Sequence, residues 1–145
     1  MSMSKVRAKL RVGGRLLPAL FTASIIFAIS HIPSEQIDLS SGGKLGTTLV
    51  RLDVAYHLII FLILSISICF GIRARSTRTL LLSALIATAY GVSDEFHQLF
   101  IRGRDAQIID MFINCLGATL GSGIWKGFYY MIRSANQPAG KKGRH

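Results

Sequence analysis

The residues 91–110, GVSDEFHQLFIRGRDAQIID, hold three Asp, one Glu, one His, two Gln and two Arg. They lie between two apolar runs, LLLSALIATAY and MFINCLGATLGSGIW. Adjacent carboxylates with an imidazole two residues on are groups that general acid–base chemistry uses, which makes Asp94, Glu95 and His97 the catalytic candidates. Asp94, Glu95, His97 and Asp110 are also oxygen and nitrogen donors of the kind that hold a divalent cation. No spacing here is specific to a metal, however, and no metal site or cofactor is assigned. The chain has no nucleophile motif, phosphate-binding loop or zinc spacing.

On a helical wheel at about 100° per residue, with Asp94 at zero, Gln98 falls near 40°, Glu95 near 100° and His97 near −60°. Phe96 points to the opposite side. The polar side chains are thus expected on one face, with the aromatic free to meet lipid. The following segment repeats the logic: Asp110, Asn114, Gly117 and Gly121 are spaced by four, three and four and form one stripe. Gly117 and Gly121 make a GxxxG pair that lets a neighbouring backbone approach closely. Asp53 and His57, one helical turn apart, add an acid and an imidazole from an earlier segment. Arg104 offers a planar guanidinium suited to a carboxylate or phosphate. Its expected partner is an internal carboxylate, Asp94 or Asp110, or an anionic head group. The candidate ligand-binding set is therefore Asp53, His57, Asp94, Glu95, His97, Gln98, Arg104, Asp110 and Asn114.

These residues need elements to position them. The chain has 145 residues, is 50% hydrophobic and carries a formal net charge of +10. Four apolar segments approach the length that crosses a bilayer: about Leu16–Ile32, Val54–Ile72, Thr79–Leu99 and Ala106–Tyr130. The expected fold is all-α: a membrane-spanning bundle of four helices, residues 16–132, with a basic N-terminus at 1–15 and a disordered basic tail at 133–145. The first connection, Pro33 to Asp53, is rich in Ser and Gly and reads as irregular. The third is only IRGRD, so the last two helices should pair as a tight hairpin, with Gly103 as C-cap and Asp105 as N-cap.

Orientation follows from Lys and Arg, which collect in cytoplasmic loops. With four spans, 13 of these residues fall on the side of the termini and 4 on the other, so both termini are expected in the cytoplasm. All seven carboxylates fall toward the outer side. A cleaved signal peptide is the rival reading of the first segment, which has a basic start and small residues at Ala28 and Ser30, but its core is long for one. The basic residues cluster at the ends of apolar runs and no soluble part exists to carry a nucleic-acid site, so nucleic acid is excluded as a partner. Cys69 and Cys115 match no metal or disulfide framework and read as small apolar residues.

The run DEFHQLFIRGRDAQIIDMFINCLG resembles the signature of the VanZ-like family, small bacterial membrane proteins named for a teicoplanin-resistance determinant. Asp94, Glu95, His97, Gln98, Gly103, Arg104, Asp110, Asn114 and Gly117 carry the resemblance, with Ser30 to Pro33 and the Asp53–His57 pair adding to it. Two positions depart from the pattern. Val54 stands where the family has Lys, and Arg102 stands where it has Pro, which should loosen the turn.

The resemblance implies a multi-pass protein of the bacterial cytoplasmic (inner) membrane and cell envelope, contributing to glycopeptide (teicoplanin) resistance or to handling an envelope lipid. From the residues, an outer-leaflet polar pocket would engage membrane lipids, a lipid-linked precursor or a lipoglycopeptide. Two other classes stay open: an enzyme acting on lipid head groups, and a structural or assembly subunit whose polar face a partner fills. Interhelical hydrogen bonding is the simpler account of the polar residues. Such bonds average only about 0.6 kcal/mol where measured, so four of them on one face favour a site. For Asp110 and Asn114 the two accounts balance, and His57 reads first as a hydrogen-bonded helix histidine.

Overall fold

The computed structural model describes residues 3–32, 44–104 and 106–136, with side chains from 14, 53 and 106 onward in those three stretches. Four helices follow one another: α1 (Met3–Ser30), α2 (Lys44–Ile72), α3 (Thr77–Gln98) and α4 (Ile108–Ala135). No strand occurs among the described residues. The expected all-α bundle of four helices is what the chain forms. Asp53–Ile72 and Ile108–Ala135 are long and apolar enough to cross a membrane, and Gly14–Ser30 is a shorter apolar helix.

Several boundaries differ from those expected. α1 runs unbroken from Met3 through the basic stretch, and α2 starts at Lys44 rather than near Asp53. The Gly and Ser residues of the first connection thus give way to helix earlier than their propensity suggests. α4 continues to Ala135, into the expected tail; residues 137–145 lie outside the described residues. Pro18 stands inside α1, where it removes one backbone donor and its ring crowds the carbonyl four residues before it.

α3 ends at Leu99 in right-handed helical geometry, not at Gly103. Two tight turns extend it, with Phe100 N–H donating to the His97 carbonyl and Ile101 N–H to that of Gln98. Gly103 is displaced to the turn, where its φ of 73° uses the freedom only glycine has without strain. Gln107, rather than Asp105, occupies the N-cap position of α4, with no side-chain cap bond. Asp105 lies outside the described residues.

α2 is the central helix. It packs against the other three, most extensively against α4, while α3 pairs with α4 as the expected hairpin and α1 lies against α2 and, at fewer points, α3. The α2–α4 contact is so close because of the GxxxG pair: a Cβ at Gly117 would strike the Leu58 carbonyl, and one at Gly121 that of Leu62. The bundle is apolar outside, where Phe21, Leu85, Phe96, Phe100, Ile108, Phe112 and Met131 are exposed. Inside it is unusually polar, burying Ser65, Ser83, Asp94, Glu95, Gln98, Asp110, Asn114 and Ser122 beside Ile26, Phe61, Ala87 and Ala118. That inversion suits a solvent of lipid tails, in which apolar surface costs nothing and polar groups must turn inward.

Candidate functional site

The buried polar groups divide between two levels. At the middle of the bundle Ser122 Oγ donates to the Leu80 carbonyl at 3.1 Å and lies 2.8 Å from Ser65 Oγ, which tie α2, α3 and α4 together. These hydroxyls have their partners. The acidic cluster sits at one end of the bundle, where the end of α1, the N-terminal half of α2, the end of α3 and the start of α4 meet.

Asp94 is buried, and its Oδ2 accepts the Ser30 hydroxyl of α1 at 2.7 Å. Gln98, one turn on, approaches the same oxygen at 3.4 Å. Glu95 is 0% exposed. Its Oε2 accepts the Gln107 backbone N–H at 3.2 Å, while its Oε1 is buried without a hydrogen-bond partner. His57 is buried in α2, with Nδ1 2.9 Å from Asn114 Oδ1 and Nε2 3.9 Å from Asp53 Oδ1. Asp110 is buried beside it, and the donor atoms of Asp53, His57 and Asp110 all lie within 4.8 Å of one another. Asp53 itself is half exposed and forms the open edge of the group.

Of the candidate residues, the structure brings Asp53, His57, Asp110 and Asn114 together, with Glu95 close to His57, Asp110 and Asp94. His97 stands apart. It lies about 160° around α3 from Glu95, half buried toward α1, with its ring 5.0 Å from that of Phe27 and 5.6 Å from that of His31. Its Nε2 is 3.4 Å from His31 Nδ1. Asp94 and Gln98 fill the centre of the helix face, so the two flanking residues face different neighbours. The ligand set Asp94, Glu95, His97 and Asp110 is not assembled; the grouping that could hold a metal is Asp53, His57 and Asp110.

Arg104 also differs from expectation. Its Nε donates to the Ile32 carbonyl at 3.1 Å and its terminal nitrogen to that of Ile29 at 3.3 Å, with neither Asp94 nor Asp110 as partner. The last carbonyls of a helix lack intrahelical donors and carry the negative end of its dipole, so a guanidinium fits there. Arg104 thereby pins the end of α1 to the α3–α4 turn and holds Ser30 over Asp94.

Two contributors escape a reading of the sequence. Ser30 is one polar residue in an apolar run, and only its place in the SHIP stretch marks it. Tyr56 precedes His57 and reads as an ordinary aromatic, yet its hydroxyl is buried without a partner, near Asp94, Arg104 and Asp53. At the far end of the bundle, Arg15, Arg73, Arg75, Phe70, Ala74, Trp125 and Tyr129 line a separate open cleft of about 340 Å³. Cys69 is buried and Cys115 exposed, both free.

The profile of the VanZ/LLP1 family matches residues 15–132. The chain belongs to the VanZ/LLP1 family. That match takes in α2 and α3 whole, α1 from residue 15, α4 to residue 132, and every candidate residue of the site. A VanZ/LLP1 chain with apolar helices of this length is a membrane protein. No curated protein and no solved structure matches it.

Proposed function

We propose that this VanZ/LLP1 protein is a multi-pass protein of the bacterial cytoplasmic membrane, with both termini in the cytoplasm, whose acidic end forms an outer-leaflet pocket for the head group of an envelope amphiphile. The ligand classes are a membrane lipid, a lipid-linked cell-wall precursor or a lipoglycopeptide, the last connecting the pocket to teicoplanin resistance. The observation that carries this reading is the unpartnered Oε1 of fully buried Glu95, in a cluster that also leaves the Tyr56 hydroxyl unpartnered. Buried polar atoms cost about 1–3 kcal/mol each when left unsatisfied. Interhelical glue would satisfy its own members, as Ser65 and Ser122 do. Buried groups left without partners near the end of a bundle favour a ligand that completes them.

The enzymatic alternative draws on the same open oxygen. Glu95 would then act as acid or base on a bound head group, with Asp94 held by Ser30 and Gln98. His97, stacked away from Glu95, would act only at a separate position. Comparing cells that produce the wild type with cells that produce Glu95→Gln separates these readings. A binding role predicts altered teicoplanin susceptibility with unchanged lipid head groups by mass spectrometry. An enzyme predicts a head-group product that disappears with the variant. Equal susceptibility and equal lipids, with both proteins present at the same level, would refute the pocket.

A further inference from the structure

We infer that Asp53, His57 and Asp110 form a divalent transition-metal site at the mouth of the pocket, an inference that deepens the pocket reading by naming what holds an anionic head group there. Four carboxylates, Asp53, Asp94, Glu95 and Asp110, converge on this end of the bundle. An anionic head group meeting them directly would be repelled. Arg104, a nearby cation, spends two of its N–H donors on the carbonyls of Ile29 and Ile32 and is one positive charge against four carboxylates. A metal ion reverses the local field and gives the anion something to bind.

The geometry of His57 points the same way. Its Nδ1 lies 2.9 Å from Asn114 Oδ1, and with that amide oxygen as acceptor Nδ1 carries the proton, an arrangement that leaves Asn114 Nδ2 buried and unpartnered. In the neutral ring Nε2 is then an acceptor, and it faces Asp53 Oδ1 at 3.9 Å, another acceptor. A lone pair turned toward carboxylate oxygens lacks the donor between them that a cation supplies. Metal-bound histidines are oriented in this manner, the second ring nitrogen donating to an amide or carboxylate oxygen. Glu95 Oε1, fully buried and unpartnered, lies in the same cluster.

One nitrogen and two carboxylates suit Zn²⁺ or Mn²⁺ better than Mg²⁺, which prefers oxygen and retained water. Three protein ligands leave coordination positions open for water and for an oxygen of the head group. Asp53, half exposed, gives the ion its way in. Asp53 and His57 share one face of α2, and Asp110 comes from α4, so the close α2–α4 contact at Gly117 sets the spacing of the ligands.

The test uses the full chain without an added histidine tag, purified in detergent, stripped with chelator and dialysed against Zn²⁺, Mn²⁺ or Mg²⁺. The metal per chain is then measured. The expected result is saturable binding of one Zn²⁺ or Mn²⁺, with Mg²⁺ a weak competitor. Asp53→Asn, at a half-exposed position where folding is not at risk, should weaken binding at least about tenfold. His97→Gln should leave it unchanged. With Co²⁺ as the probe, a visible d–d band should appear in the wild type and be lost in His57→Gln. Equal binding by wild type and Asp53→Asn, or no saturable binding, would overturn the site. Because no amphiphile is present, that failure stays distinct from failure of the pocket, which is read by amphiphile capture on the unstripped protein without chelator.

Discussion

Replacing Gly117 by Ala tests whether the packing of α2 on α4 builds the site. The added Cβ would strike the Leu58 carbonyl, a backbone atom that no rotamer change can move. Restoring ordinary C···O contact requires the helices to part by about 1 Å. The His57–Asn114 bond, at 2.9 Å across the same interface, would then stretch beyond hydrogen-bonding range. Overpacking of this kind costs about 1–3 kcal/mol, and the lost bond adds about 1 kcal/mol. Gly123→Ala is the control: nothing lies within 4 Å of a Cβ there, and the exchange of Gly for Ala in a helix gains up to about 1 kcal/mol. Thermal unfolding of both variants in the same detergent should show Gly117→Ala melting well below the wild type and Gly123→Ala at or above it. Equal melting of the two would refute the close-contact argument and, with it, the account of how Asn114 reaches His57.

Three further outcomes follow from the same geometry. Ser30→Ala leaves Asp94 Oδ2 with only the 3.4 Å approach of Gln98, and should lower stability by about 1.5–3 kcal/mol, the worth of a hydrogen bond to a charged group; denaturation in mixed micelles measures it. Arg104→Ala should free the end of α1, raising hydrogen exchange at Ile29 to Ile32 while α4 exchange is unchanged; equal protection would refute the capping role. His97→Gln removes a ring stacked on Phe27 and His31 and should cost about 0.5–1.5 kcal/mol while leaving teicoplanin susceptibility unchanged, since His97 lies outside the pocket.

What the sequence revealed of the site was the part fixed by position along one helix. Asp53 and His57 one turn apart, and Asn114 above Gly117 and Gly121, follow from helical periodicity and appear as expected. What crosses between helices was less legible. His97 and Glu95 share the polar half of α3, yet lie so far apart around it that one meets α1 and the other α4. Arg104 suggests a carboxylate partner by its chemistry, but the carbonyls at the end of α1 take its donors, and no residue type announces a helix end as an acceptor. The start of α2 at Lys44 runs against the weak helix propensity of Gly and Thr.

The account rests on the acidic end of the bundle being a ligand site. Glu95→Gln tests that most directly, because the amide keeps the shape and can still accept the Gln107 N–H. Wild type and variant would be extracted from the same membranes into lipid nanodiscs, and the amphiphiles retained by each identified by native mass spectrometry beside a melting curve. The account predicts a stoichiometric amphiphile on the wild type that Glu95→Gln loses while melting at an unchanged or higher temperature. A variant that melts early and still carries the same molecule as the wild type would contradict it, and would make the cluster a structural core.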